Sequence, residues 1–184
     1  MPLNNQPEEK SARVFFALWP NEAERVALSA WQPLLHGLCG GRAMRADTLH
    51  VTLVFLGNVV AHRLEALLLA AEEVRGAGFD LTFDTARYWG HNHVVYAAPH
   101  HVPPQLAQLV DELRRRLVAH RFHFDNQTYK PHATLLRHGK WSDAALPPLP
   151  EIRWQVRDFV LVQSVPDERG ASYNVLARIP FAVN

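Results

Sequence analysis

The sequence predicts a mixed α+β (α/β) domain built from a duplicated β-α-β unit. Three observations carry that expectation. Short apolar runs alternate with polar residues at the two-residue period of half-buried strands. Other segments repeat leucine, valine and alanine at helical spacing. The pattern His-x-Thr-Leu occurs twice, each time after a strand, a proline and a helix. Phe15 to Pro20 (FFALWP) leads through a helix to His50, and Val94 to Pro99 (VVYAAP) leads through a helix to His132. Proline to histidine is 30 positions in the first half and 33 in the second. Two such units related by a pseudo-twofold axis would bring both histidine strands into a central groove.

The elements follow in order. Met1 to Ser11 is polar and is expected to form a short flexible N-terminus, with 12–184 a single domain of two pseudo-symmetric lobes. Arg13 to Trp19 (RVFFALW) reads as a first strand, closed by Pro20. Asn21 is a good N-cap, and Glu22 and Glu24 suit the positive end of the helix dipole. That helix is expected to stop near Pro33, with Gly37, Gly40 and Gly41 in a loop. The first histidine strand spans about Leu49 to Leu56. Leu64, Leu67, Leu68, Ala71 and Val74 make one stripe of a helix from Ala61 to Val74. Phe79 to Tyr88 alternates as one strand, and Val94 to Ala98 is another. Pro103 and Pro104 open a third helix with the stripe Leu106, Leu109, Val110, Leu113 and Leu117. Its Arg114, Arg115 and Arg116 read as a solvated face. The second histidine strand runs from Tyr129 to Arg137. A stiff loop with Pro147, Pro148 and Pro150 follows, then strands near Val156–Val165 and Tyr173–Phe181 joined by a turn at 166–170.

Composition narrows the function classes. The chain has 184 residues, 48% of them hydrophobic, enough for a substantial core. A net charge of +1 is not the basic excess of a protein that grips long nucleic acid by its phosphates. Cys39 is the only cysteine, so no intramolecular disulfide and no cysteine-rich zinc site can form. The N-terminal residues lack the basic-then-apolar order of a secretory signal, and no apolar run is long enough to span a bilayer. The expectation is a soluble, cytoplasmic, monomeric protein with no membrane partner.

The two motifs carry the chemistry. Alternation puts His50 and Thr52 on one face of their strand, and His132 and Thr134 on one face of theirs. One such pair alone is more often a satisfied core pair. Two facing imidazoles suit a reaction that takes a proton at one end and gives one at the other. Histidine, with a reference pKa of about 6.5, supplies either form near neutrality. A metal site built on His91, His93, His100 and His101 is the weaker reading, since no convincing carboxylate ligand accompanies them.

These residues resemble the 2H phosphoesterase superfamily, named for its two His-x-Thr/Ser motifs. The closer resemblance is to its RNA 2′,3′-cyclic phosphodiesterase branch, long called 2′-5′ RNA ligases. The opening RVFFAL strand carries it, with Leu49-His50-Val51-Thr52-Leu53-Val54-Phe55-Leu56-Gly57, Lys130-Pro131-His132-Ala133-Thr134-Leu135-Leu136-Arg137, and Gly170-x-x-Tyr173. The resemblance implies a bilobal fold with antiparallel sheets around a groove. It implies metal-free and cofactor-free hydrolysis of a 2′,3′-cyclic phosphate at an RNA end or nucleotide, giving a 2′-phosphate. His50 and His132 would be the catalytic pair, and Thr52, Thr134 and Arg137 would bind the phosphate. On the chemistry of the two ends, His132 is expected to act as base and His50 as acid. Strict alternation puts Arg137 on the face opposite His132, so its place in a site requires a strand end or a bulge. Trp19, Phe55 and Tyr173 are candidates to stack on a base, or core. Two alternatives use the same groups: a non-catalytic RNA- or nucleotide-binding module, and reversible 2′-5′ ligation.

Overall fold

The computed structural model describes residues 9–181. The chain forms β1 (Ser11–Leu18), α1 (Glu22–Cys39), β2 (Arg42–Ala43), β3 (Val51–Val60), α2 (Leu64–Glu72), β4 (Phe79–Phe83) and β5 (Thr85–Trp89). It continues with β6 (Val94–Ala98), α3 (Pro104–Ala119), β7 (Ala133–Arg137), β8 (Ile152–Val156), β9 (Asp158–Asp167) and β10 (Gly170–Pro180). Of the N-terminal stretch Met1–Ser11, positions 1–8 lie outside the described residues; the carbonyl of Lys10 accepts from the Ala61 N–H (2.7 Å), and Ser11 opens β1.

Eight strands make one sheet in the order β10-β9-β1-β3-β7-β6-β5, with β2 added against β7, and β4 pairs with β8 in a second, two-stranded sheet. All pairings are antiparallel. The mixed architecture with antiparallel sheets expected from the sequence is therefore the one formed. The centre of the large sheet is a palindrome. β1 pairs with β3, β6 pairs with β7, and the two halves meet between β3 and β7 through the pair Val51–Ala133. The unit strand–proline–helix–strand recurs as β1-α1-β3 and β6-α3-β7.

The two faces of this sheet differ. Ala12, Val14, Phe16 and Leu18 of β1 join the main core with the stripes of all three helices, including Leu28, Trp31 and Leu35 of α1 and Leu106, Leu109 and Leu113 of α3. Phe15 and Ala17 point the other way, into a small cluster with Val160, Val162, Trp19 and Tyr173. Val94, Tyr96, Ala98 and Trp89 make a matching small cluster on the other half. Helices thus cover one face and leave the other for the site.

Five expectations are corrected. α1 runs through Pro33 to Cys39, so Gly37 is helical and the loop holds only Gly40 and Gly41. Proline removes one helical hydrogen bond. Burial of Leu35 and Cys39 beyond it, each worth on the order of 2 kcal/mol as apolar surface, offsets that loss. The expected strand Phe79–Tyr88 is two strands in different sheets, broken at Asp84, whose carboxylate accepts from the His100 N–H (2.8 Å). The second helix is shorter than expected, with a 3₁₀ turn at Ala61–Arg63 before α2. β8 replaces the last part of the proline-rich loop, with Ile152, Trp154 and Val156 buried. The histidine strands also shift: β3 runs Val51–Val60 and β7 only Ala133–Arg137, so each histidine sits just before its strand begins. Asn21 caps α1 in a reciprocal box with Glu24, 2.8 Å each way. Arg115 and Arg116 pair with Glu112 on the outer face of α3, while Arg114 lies over Phe124.

Candidate active site

Val51 and Ala133 face each other across the β3–β7 junction. One more step of that register places His50 opposite Thr134 and Thr52 opposite His132. All four side chains line one cavity of about 490 Å³, together with Arg137. The sequence-derived candidates His50, His132, Thr52, Thr134 and Arg137 are thus brought together at the β3–β7 junction.

Both imidazoles are oriented by the same device. Nδ1–H of His50 donates to the Thr48 carbonyl (2.7 Å), and Nδ1–H of His132 donates to the Lys130 carbonyl (2.7 Å). In each case the acceptor lies two residues upstream. A proton fixed on Nδ1 leaves Nε2 as the atom that gives or takes a proton in the cavity. The Thr52 hydroxyl donates to Nε2 of His50 (3.1 Å).

Arg137 reaches the site through a bulge. Tyr96 pairs with Thr134, but Val95 pairs with Leu136, so Leu135 is an extra residue in β7. Leu135 and Leu136 are consequently both buried, and alternation restarts one residue later. Arg137 then shares the face of His132 and Thr134. β3 does the same: Ala17 pairs with Thr52 and Phe16 with Val54, so Leu53 is extra, Leu53 and Val54 are both buried, and Phe55 turns to the site. Phe55 is therefore the counterpart of Arg137, each five residues after its histidine. Phe55 is 36% exposed, and the Arg13 guanidinium lies over its ring, 4.9 Å from the centroid.

The surroundings of the two histidines are unequal. His50 is enclosed by Phe15 (5.0 Å between centroids), Trp19 (5.6 Å, stacked) and Tyr173 (5.2 Å, edge-on). His132 meets Trp89 (4.5 Å) and Tyr96 (5.6 Å), both edge-on. Burial pushes the His50 pKa down to about 4; the Thr48 carbonyl opposes that, and the charges of His132 and Arg137 add to it. Burial also lowers the pKa of His132, to a smaller extent, against the Lys130 carbonyl. His132 is the easier of the two to protonate. That ordering runs against the sequence-based expectation of His132 as base.

The sequence singled out Trp19 and Tyr173, and the structure makes them walls of the His50 cage. It missed Phe15, Trp89 and Tyr96 as cage residues and Arg13 as a site cation, although Arg13 and Phe15 share a face of β1 by alternation. Of the four turn histidines, His93 bonds the Tyr88 hydroxyl (2.7 Å) and His100 pairs with Asp84 (2.9 Å). Among the described residues no three His, Cys, Asp or Glu side chains form a cluster that could hold a metal ion. Among the described residues no helix is long and apolar enough to cross a membrane.

The chain is similar to proteins of known activity over most of its length. It is 36% identical to the RNA 2′,3′-cyclic phosphodiesterase of Escherichia coli K12 over 83% of this chain and 86% of that one. The Thermus thermophilus protein of the same name is 27% identical over 90% of this chain and 88% of its own. The crystal structure of E. coli LigT complexed with 3′-AMP superposes with a TM-score of 0.85, covering 95% of this chain and all of that one at 31% identity. The model of the 2′-5′ RNA ligase superfamily matches residues 19–168, and the chain belongs to that superfamily.

Proposed function

We propose that this protein is an RNA 2′,3′-cyclic phosphodiesterase that opens the cyclic phosphate at an RNA end to a 2′-phosphate. The observation that carries the reading is the pair of Nε2 atoms, each fixed in tautomer by a backbone carbonyl and facing one cavity beside two threonines and an arginine. Relatives named for this activity support it.

Water attacks phosphorus and gives its proton to one neutral imidazole at Nε2. The bond from phosphorus to O3′ breaks, and the other, protonated imidazole gives its Nε2 proton to O3′. The products are a 2′-phosphate and a 3′-hydroxyl. Each proton transfer is typically worth ~10²–10⁴ in rate. The relative basicities assign the neutral role to His50 and the protonated role to His132. An anionic substrate between the rings raises both pKa values, which brings His132 into its protonated form near neutral pH. Thr52, Thr134 and Arg137 bind the non-bridging oxygens, and the arginine fork is the strongest of these. A 5′-hydroxyl in place of water gives a 2′–5′ linkage with the same groups.

The test is incubation with an oligonucleotide ending in a 2′,3′-cyclic phosphate, with product analysis in the presence of a strong chelator. The expected product is a 2′-phosphate, formed at an undiminished rate. A 3′-phosphate product would overturn the assignment of the broken bond. Loss of activity restored by a divalent ion would overturn the two-histidine mechanism.

A further inference from the structure

A second cavity of about 340 Å³ opens beside the first, and Thr48, Arg137 and Tyr173 line both. Its remaining charged lining is Arg42, Arg45 and Arg169, with no carboxylate. Arg42 pairs in register with Arg137 across β2 and β7. Directly opposed like charges lie roughly 5 Å apart at Cβ and repel. Among the described residues no carboxylate forms an ion pair with Arg42, Arg137 or Arg169. Arg45 pairs with Asp47 and Asp167, both at 3.2 Å. Asp167 also accepts from the Arg169 N–H (2.8 Å) and feels the Arg169 charge, so Arg42 and Arg137 are the pair left opposed.

The repulsion is held in place by its surroundings. Gly41 has φ +87, and a Cβ there would lie 2.6 Å from the Arg137 carbonyl oxygen, so only glycine lets β2 approach β7 this closely. Behind it the buried Gln32 amide donates to the Met44 (2.8 Å) and Leu135 (3.0 Å) carbonyls and ties the two strands together. On the other wall Arg45 donates to the Ala171 carbonyl (3.0 Å) and grips Asp167, which fixes the β9–β10 turn that carries Arg169. Arg42, Arg137 and Arg169 thereby line one small space that shares Thr48, Arg137 and Tyr173 with the first cavity.

We infer that this cavity binds a second phosphate of the substrate, the one on the 5′ oxygen of the terminal nucleoside, and so selects the end of an RNA strand over a free cyclic nucleoside phosphate. The inference rests on the proposed reaction at the histidine pair. A single phosphate between Arg42 and Arg169, with Arg137 shared between it and the reacting phosphate, offsets the opposed charges. One bound phosphodiester suits a chain whose net charge is only +1 better than a long nucleic-acid footprint does.

Three substrates test it: adenosine 2′,3′-cyclic phosphate, the same compound carrying a 5′-phosphate, and a diadenosine dinucleotide ending in the cyclic phosphate. The wild type should show a higher kcat/KM on the last two than on the first. Arg42→Gln and Arg169→Gln should each lower kcat/KM on the last two about fivefold to tenfold, as loss of a charge-assisted contact does, and the double variant should erase the preference. Turnover of the 5′-hydroxyl compound should stay within about twofold in every variant, which also shows that each is folded. Equal wild-type kcat/KM on all three compounds overturns the second site and leaves the catalytic reading intact. So does an equal loss on all three in the variants. Loss of the preference in Lys130→Gln, on the opposite side of His132, would mean that the strand leaves across the other lobe, and overturns it too. No turnover of any of the three by the wild type would instead overturn the catalytic reading itself.

Discussion

Around His50 three aromatic rings close on the imidazole; around His132 there are two, both edge-on. Around His50 the threonine of the motif bonds the ring at 3.1 Å, while Thr134 lines the cavity beside His132. Five residues downstream, one half presents Phe55 with Arg13 above it, and the other presents Arg137. The backbone is the same in both halves: a carbonyl two residues upstream, a histidine, a threonine, a one-residue bulge, a side chain turned inward. The difference therefore lies in what packs around a shared backbone device. It teaches how two copies of one motif come to differ in proton affinity, the difference on which the proposed roles rest. Geometry is supplied by the strand, and proton affinity by the cage.

The largest expected effect erases the comparison altogether. His50→Ala and His132→Ala should each lower kcat by about 10²–10⁴, and the double variant should be little worse than either, because the two imidazoles act as one proton circuit. Steady-state rates on a cyclic-phosphate oligonucleotide measure it. Substrate affinity should fall far less than rate. Near-wild-type turnover in either single variant would make that histidine structural.

The next effect is on stability and separates the halves. His50 titrates near 6.5 in an unfolded chain and at about 4 when folded. The folded state therefore binds fewer protons between those values, so this contribution is complete above pH 6.5 and is lost as pH falls toward 4. Its size is roughly 3 kcal/mol for a full two-and-a-half-unit shift. Denaturant unfolding at pH 7 and pH 4.5 should show the loss in the wild type, a much smaller loss in His50→Gln, and a loss reduced to a lesser degree in His132→Gln, whose pKa is also lowered by burial but less. An equal change in the two variants would mean that the cages are equivalent.

Arg137→Gln and Phe55→Leu probe the two residues that the bulges turn inward. Arg137→Gln should lower kcat/KM about tenfold to a hundredfold, as expected for a lost charge-assisted hydrogen bond to an anion. Phe55→Leu removes only the ring under Arg13, worth about 0.5–1 kcal/mol at an exposed position, so its loss should be no more than about fivefold. Reversal of that order would mean that Arg13, not Arg137, holds the reacting phosphate.

How much of this was legible follows from where each signal resides. His50, Thr52, His132 and Thr134 were readable because alternation over three residues needs only local backbone. Asn21 as the N-cap of α1 was readable for the same reason; the return bond from its N–H to Glu24 was not. Arg137 was not placed by alternation, because an extra residue, Leu135, shows itself only against the partner strand β6. The consecutive apolar pairs Leu53-Val54 and Leu135-Leu136 are the trace such bulges leave in the chain. Pro33 misled because a buried stripe on α1 outweighs one lost hydrogen bond. Asp84 misled because the break in Phe79–Tyr88 depends on a bond to His100, sixteen residues away. The cage of His50 was beyond local reading, since Phe15, Trp19 and Tyr173 come from β1, the residue after it, and β10.

The smallest expected effect tests the cage itself. Trp19 stacks on His50 with an interplanar angle of 18° and does not line the catalytic cavity. Trp19→Leu keeps an apolar side chain but uncovers one face of the imidazole to water. Desolvation is the largest cause of the depressed pKa, so relieving part of it should raise the His50 pKa by about one unit while His132 stays put. Proton chemical shifts of the two rings against pH would show it directly. If His50 takes the proton from water, its protonation switches the reaction off on the acid side, and that limb of the rate profile should move to higher pH by the same amount. If the alkaline limb moves instead, His50 is the proton donor and the roles are exchanged. If neither the chemical shifts nor the limb moves, the charges of His132 and Arg137, rather than the rings, set the basicity of His50.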